Sequence, residues 1–357
     1  MSILDQTLKH LGFLVGCNTQ NPPRAIKPKD PIFSYISEKL GVGWDIKITN
    51  HGKGRVTFFA KRGNPNTLFN VHLDTVPFGE GWSNDPQKLI VHDKKAYGRG
   101  ACDIKGAAAT LMSLAENTKA DMALLFTTDE ECTEGCCVNK FCEGINFQEF
   151  KLVVVAEPTG MKAVLGHRGY LSVEGQFEGC SGHTSNHNST KDSALHDLTH
   201  WSSEALKLAE ESGEGRLSNN RFNIGRIDGG IKPNMVANRA KILWSMRPAS
   251  GSNPQNLFNE MTKNSNANWT INFSAPSLPA IGQKKTTPKI LLGSIGVDIG
   301  DDVAFWTEAA LFSEANFPAI VLGPGHIEQA HTVDEWVEIE QLELAYQIYG
   351  NILESKQ

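Results

Sequence analysis

A chain of 357 residues is long enough for two domains with full hydrophobic cores, and its 40% hydrophobic and 21% charged content excludes collagenous and disordered classes. Its 34 Lys and Arg against 40 Asp and Glu leave a net charge of -6, so neither nucleic acid nor an anionic membrane is an expected partner. No apolar run approaches the ~18 residues of a membrane span, no signal-peptide pattern opens the chain, and seven cysteines, an odd number in a large chain, favour reduced thiols; a soluble cytoplasmic protein is expected.

Leu4, Leu8, Leu11 and Val15 recur at helical spacing, which predicts an amphipathic helix over 3–15, closed by Asn21-Pro22-Pro23. Apolar runs at 68–73, 122–126 and 152–156 have the character of strands buried on both faces, and 106–116 reads as a packed helix between the first two. Strand and helix alternate as in an α/β domain. Near residue 170 the pattern changes. Leu171, Val173 and Phe177 alternate with polar residues, and a helix follows with Leu198, Trp201, Ala205 and Leu208 on one stripe. After the Gly229-Gly230 turn a second alternating strand carries Val236, Ala240, Ile242, Trp244 and Met246; then come a helix at 254–261 and a strand at 269–273. Residues 167–277 therefore read as a small α+β domain inserted into a discontinuous larger domain of 1–166 and 278–357. The α/β pattern resumes with a strand at 319–322, a Gly323-Pro324-Gly325 turn and a last helix bearing Leu342, Ala345, Tyr349 and Ile352.

Ionisable residues collect immediately after the predicted buried strands, where open α/β sheets bind ligands. His72 and Asp74 follow the first run; two apart on an extended segment, they face the same way, so His72 can bind a metal while Asp74 orients the imidazole. Asp129, Glu130 and Glu131 follow the second run, and adjacent carboxylates there repel unless cations or solvent compensate. One glutamate can ligate a metal while the other acts as a general base. Taken alone, an acidic tripeptide is more often a solvated turn, and an isolated Glu such as Glu157 before Pro158 is more often a turn residue. Asp103 lies in the glycine-rich Gly98-Arg99-Gly100-Ala101-Cys102-Asp103, and His331 follows the C-terminal Gly-Pro-Gly turn. As a set, two His and three or four acids, each after a separate core strand and none explained by helix capping, suit Zn, Co, Mn or Fe better than Mg or Ca. Two divalent cations about 3.5–4 Å apart need roughly this number of ligands.

At these residues the chain resembles the di-zinc amidohydrolase and exopeptidase family that includes acetylornithine deacetylase, succinyl-diaminopimelate desuccinylase and carboxypeptidase G. The likeness runs through His72-Leu73-Asp74, the segment around Asp103, Thr128-Asp129-Glu130-Glu131, Glu157-Pro158-Thr159, Gly182-His183-Thr184-Ser185, Gly229-Gly230 with Asn234, Arg247 and His331. Trp306-Thr307-Glu308-Ala309, and Gln329-Ala330-His331 with Asp334-Glu335, look most like the acetylornithine deacetylases, and a closely similar branch acts on N-acetylcitrulline.

The resemblance implies a mixed sheet flanked by helices with an inserted ferredoxin-like dimerisation or lid domain. It implies two divalent metal ions, Zn first with Co or Mn as alternatives. Asp103 would bridge them, with His72 and Glu157 completing one site and Glu131 and His331 the other; Glu130 would be the general base, supported by Asp74. His183, often supplied by the partner subunit in that family, would donate to the oxyanion, and Arg247 would hold the substrate carboxylate. Arg168, Asn234 and Glu308 are further binding candidates; Glu308 suits either a cationic amine or a ureido group. The implied reaction is deacetylation of N-acetyl-L-ornithine in arginine biosynthesis by a homodimer, with N-acetyl-L-citrulline as the alternative substrate, then desuccinylation or dipeptide hydrolysis.

Other signals carry less. Cys132, Cys136, Cys137 and Cys142 lack the paired spacing of a zinc ribbon, Cys102 is an oxidation candidate, Gly52-Lys53-Gly54 lacks phosphate-loop spacing, and His187, His196 and His200 read as surface or packing residues.

Overall fold

Helix α1 (Ile3–Gly16) opens with a reciprocal cap: the Ser2 hydroxyl accepts from the Asp5 N–H and the Asp5 carboxylate from the Ser2 N–H. The helix stops at Gly16, before the Asn21-Pro22-Pro23 cluster predicted to close it, because Cys17 already turns into extended backbone. Its buried face also differs. Thr7 and His10 are buried while Leu4 and Leu8 are half-buried, since the Thr7 hydroxyl bonds Ser113 Oγ (2.9 Å) and His10 Nδ1 meets the Tyr35 hydroxyl (2.9 Å).

The structure, a computed structural model, describes residues 2–132, 135–185, 189–210, 220–283, 292–293 and 295–355. His187 lies outside them. The chain forms two units, a larger one of 1–166, 283–302 and 307–357 and a smaller one of 167–282 with 303–306. The smaller unit runs past residue 277 because His167 pairs with both Leu278 and Val303, and Trp306 Nε1 donates to the Pro276 carbonyl.

The larger unit is built on β1 (Asp45–Gly52), β2 (Arg55–Arg62), β3 (Thr67–His72), β6 (Met122–Thr127), β7 (Leu152–Val155) and β14 (Ala319–Val321), hydrogen-bonded in the order β1-β2-β6-β3-β7-β14. β1, β2 and β6 are antiparallel neighbours, whereas β6, β3, β7 and β14 run parallel. Every residue of β3, β6, β7 and β14 is buried, as their unbroken apolar runs require of strands covered on both faces. The cover comes from α1, α2 (Pro31–Leu40), α3 (Gly106–Asn117), α4 (Cys137–Glu143), α7 (Ala309–Glu314) and α8 (Ile339–Glu354). A separate small sheet pairs β15 (Trp336–Glu338) with β5 (Lys95–Tyr97) and β5 with β4 (Ile90–His92).

The smaller unit runs β8 (Tyr170–Glu178), β9 (Gly182–His183), α5 (Ala194–Glu210), β10 (Arg221–Gly229), β11 (Met235–Val236), β12 (Arg239–Arg247), α6 (Pro254–Thr262) and β13 (Asn268–Ala275). Its four-stranded antiparallel sheet, ordered β10-β12-β8-β13, has the ferredoxin-like arrangement. Strand β10 escaped the sequence reading: after Ile224 a register shift breaks its alternation and all of its later residues are exposed. The core gathers Leu171, Val173, Trp201, Ile242, Trp244 and Met261. Trp269 lies against the sheet over Gly175, where a Cβ would stand 2.2 Å from the indole. Among the described residues no helix is long and apolar enough to cross a membrane.

Tyr349 fixes α8 to the parallel sheet. It is fully buried, its hydroxyl donates to the Leu322 carbonyl (2.8 Å), and its ring meets Phe69 edge-on at 5.2 Å. Tyr349→Phe keeps the ring and orphans that carbonyl, so it is expected to cost about 1–2 kcal/mol, read as a lower denaturation midpoint with an unchanged urea m-value.

Candidate metal centre

Strands β3, β6 and β7 are parallel neighbours, so their carboxyl ends open on the same edge of the sheet. His72 is the last residue of β3, Glu130 and Glu131 follow β6 by a few residues, and Glu157 follows β7. Asp103 arrives from the turn between β5 and α3, in extended rather than helical backbone (φ -119°, ψ 87°). His331 follows the short helical turn Ile327–Gln329 and adopts φ +61°, a left-handed conformation that is strained for a residue with a Cβ and concentrates at functional sites.

These side chains converge. Each carboxylate oxygen of Asp103 faces one imidazole: Oδ1 lies 3.0 Å from His72 Nε2 and Oδ2 3.1 Å from His331 Nε2. The same His72 nitrogen is 3.5 Å from Glu157 Oε1, and the same His331 nitrogen is 3.0 Å from Glu131 Oε1. Two triads, Asp103-His72-Glu157 and Asp103-His331-Glu131, thus share Asp103. Donor atoms of His72, Asp103 and Glu131 all lie within 4.8 Å of one another.

The electrostatics follow from crowding acids in a dry place. Burial alone would lower the His72 pKa, but Glu157, Asp103 and Asp74 hold it well above its ordinary value. Hydrogen bonds to Asp103 and Glu131 raise His331 to about 10. Burial works against ionised Asp103, yet its bonds to the two imidazoles keep its pKa below the usual carboxylate range. Glu130 and Glu157, beside other carboxylates, are pushed well up, first by burial. A cluster this rich in buried acid calls for positive charge, and its mixed imidazole and carboxylate donor set fits a borderline divalent ion.

The supporting contacts refine the sequence reading. His72 Nδ1 donates to the backbone carbonyl of Asp74 (2.9 Å), while the Asp74 carboxylate stands 3.5 Å away. That carboxylate accepts instead from the Glu131 N–H (3.0 Å), fixing the loop after β6, and burial raises its pKa to about 6. Asp129 turns away from its two neighbours: its Oδ2 accepts from the Cys136 and Cys137 N–H groups (2.6 and 2.9 Å) and so caps α4. Helix capping thus explains one member of the acidic tripeptide after all. Glu308 is buried, accepts from the Thr127 hydroxyl (2.9 Å), and burial and then Asp129 push its carboxyl up to about 8.

The remaining candidates belong to the smaller unit. His183 is exposed on β9, its Nδ1 bonded to Ser185 Oγ (2.8 Å), and Asn234 is exposed beside it, its carbonyl accepting from the Thr184 N–H. Arg247 ends β12 half-buried over the Tyr170 ring (4.2 Å), and Arg168 Nη1 donates to the Arg247 carbonyl (3.4 Å). Arg221, not singled out from the sequence, stands opposite Arg247 in the β10–β12 register.

Two further residues were missed as participants. Glu335 and Arg99 are buried and paired at 2.9 Å, and the Glu335 carboxylate also accepts from backbone N–H groups next to Asp103. The sequence signal was their place in the quoted motifs, Gly98-Arg99-Gly100 and Asp334-Glu335, with no role attached to either. All seven cysteines are free thiols. Burial raises the Cys142 thiol to about 12 and holds that of Cys137 higher still.

Similarity to known proteins places the chain in a family. The profile of peptidase family M20/M25/M40 matches residues 68–355. The chain is 40% identical over 353 residues, 96% of its length and 95% of the relative's, to an N-acetyl-L-citrulline deacetylase of Xanthomonas campestris pv. campestris. It is 29% identical over 341 residues to an acetylornithine deacetylase of Proteus mirabilis, covering 89% and 87% of the two chains. The fold is shared, at 16% identity, with an M20 family metallo-carboxypeptidase from Sulfolobus solfataricus (TM-score 0.72, 98% of each chain). The aminopeptidase PepT of Bacillus cereus shares it at 18% identity (TM-score 0.74, 98% of each chain). On its sequence and its fold together, the chain belongs to peptidase family M20/M25/M40 and is a metallo-amidohydrolase.

Proposed function

We propose that the protein removes the acetyl group from an N-acetylated amino acid, N-acetyl-L-citrulline first and N-acetyl-L-ornithine second, in a cation-dependent hydrolysis serving arginine biosynthesis. The observation that carries this reading is the sharing of Asp103 between the two histidine and glutamate triads. His72, Glu157 and Asp103 would hold one divalent cation, zinc by preference, and His331, Glu131 and Asp103 a second. When bound, such cations polarise an amide carbonyl and acidify water.

Glu130 adjoins Glu131 and stands close enough to His72 to feel its charge, and proton transfer is assigned to its carboxylate. It takes a proton from the attacking water and delivers it to the departing amine as the C–N bond breaks, yielding acetate and the free amino acid. His183 donates to the oxygen that becomes negative on attack, and Arg247 forks the substrate carboxylate while Tyr170 holds its guanidinium plane. Arg168 and Asn234 would assist binding. Citrulline is placed before ornithine because the relative at 40% identity bears that name. In the smaller unit, the edge strand β10 with the exposed Ile227, Ile231 and Met235 offers a surface for homodimerisation.

Initial rates on N-acetylcitrulline, N-acetylornithine, succinyl-diaminopimelate and dipeptides test the substrate. The expected result is fastest turnover of N-acetylcitrulline, abolished by chelation and restored by Zn, Co or Mn; activity that survives thorough chelation would refute cation dependence. Glu130→Gln is expected to keep its metal and lose about 10²–10⁴-fold in kcat, whereas Glu131→Gln loses metal, as elemental analysis beside kinetics would report. Sedimentation should find a dimer, and Ile227→Asp with Met235→Asp should shift it to monomer.

A further inference from the structure

We infer that Glu335, seated by Arg99, is a positioning residue that holds Asp103 in register with His331; this rests on the metal-centre reading above. Both residues are almost fully buried, at 1% and 3% exposure. The Glu335 carboxylate accepts four hydrogen bonds. Oε2 receives Arg99 Nη1 (2.9 Å) and the Gly100 N–H (2.9 Å); Oε1 receives the Cys102 N–H (2.9 Å) and the Asp103 N–H (3.0 Å). Three backbone donors of the segment that carries Asp103 thus end on one side chain.

Glu335 stands four residues after His331, and the stretch between them is tied to the same loop. Arg99 Nη1 also donates to the Thr332 carbonyl (3.2 Å), the Gly98 N–H bonds the Glu335 carbonyl (2.9 Å), and Trp336 pairs with Tyr97. Arg99 Nη2 reaches further, to the carbonyls of Pro77 and Phe78 (3.3 and 3.1 Å) in the loop that follows His72 and Asp74. One buried ion pair therefore joins the segments bearing Asp103, His331 and His72, while touching none of their donor atoms.

The carboxylate is specific to this task. It is acceptor-only on both oxygens, and each oxygen here meets two N–H donors. Gln at this position has nearly the same shape but turns an NH₂ group toward one donor pair, so the Asp103 segment loses half its anchors with little change in volume. Outer partners of this kind typically alter metal affinity by about 10–100-fold.

The test titrates Zn(II) into metal-free wild type, Glu335→Gln, Arg99→Lys and Tyr349→Phe against a competing chelator, and records the visible spectrum of each Co(II)-loaded form. Glu335→Gln is expected to weaken Zn(II) about 10–100-fold and to change the Co(II) band. Arg99→Lys should shift both in the same direction by less. Tyr349→Phe should lower the melting temperature and leave affinity and spectrum as in wild type. Wild-type affinity and spectrum in Glu335→Gln would overturn the inference while leaving the metal centre standing. If Glu335→Gln does not fold, Arg99→Lys decides by the same two readouts. Failure of wild type to bind Zn(II) or Co(II) would overturn the metal-centre reading, and this inference with it.

Discussion

Four carboxyl groups, those of Asp103, Glu130, Glu131 and Glu157, are drawn together where water is scarce, and their mutual repulsion is the constraint the rest of the structure answers. At an effective dielectric of about 20, two unit charges ~4 Å apart interact by about 4 kcal/mol. A few uncompensated pairs would equal the ~5–15 kcal/mol that separates a folded domain from its unfolded chain. The chain answers in two ways. Its two imidazoles sit between pairs of carboxylates, and burial raises the pKa values of Glu130 and Glu157. Both responses are reversible by a divalent cation, which replaces protons with charge held at a fixed point.

The parallel sheet is what permits this crowding. Residues of β3, β6 and β7 are buried along their whole lengths, so the strands are fixed by packing that has nothing to do with the acids at their ends. Below the cluster, Leu68, Leu124, Val153 and Val154 lie within the core, and α3, with ten buried residues, covers a face of it. A site made of mutually repelling groups can be afforded only on a scaffold whose stability is gained elsewhere.

The sequence made legible whatever follows from period and position. The fully apolar runs announced the central strands, and the acids that interrupt them announced the site, because a charge directly after a buried strand is costly unless used. Less legible was anything that depends on a partner far along the chain. Asp129 looks identical to Glu130 and Glu131 in sequence, yet it caps α4, a role visible only once the Cys136 and Cys137 N–H groups are seen to point at it. Asp74 was expected to orient His72; the backbone carbonyl does so more closely, because a carboxylate two residues on can instead reach the Glu131 N–H. Glu335 and Arg99 are 236 positions apart, and no local pattern pairs them. Strand β10 was missed for the opposite reason: as an exposed edge with a shifted register, it lacks the alternation that burial imposes.

His331 shows how the two kinds of information meet. As a lone histidine after a Gly-Pro-Gly turn it carries no signal, and in the fold it occupies left-handed backbone at φ +61°, with Asp334 three residues later at φ +54°. Residues held in such regions cost about 1–3 kcal/mol each and persist only where their surroundings over-determine them. The surroundings are present: the Asp334 carboxylate accepts from the Ser83 N–H and hydroxyl at 2.9 and 2.7 Å, Glu335 gathers its four donors, and Trp336 enters β15 beside β5. Between two strained residues and a strand, the short segment is tied at several points, and the imidazole it projects is about half exposed and stands 3.1 Å from Asp103 Oδ2. In the proposed metal centre, a ligand left open to solvent would thus be held by the backbone behind it rather than by burial of its ring.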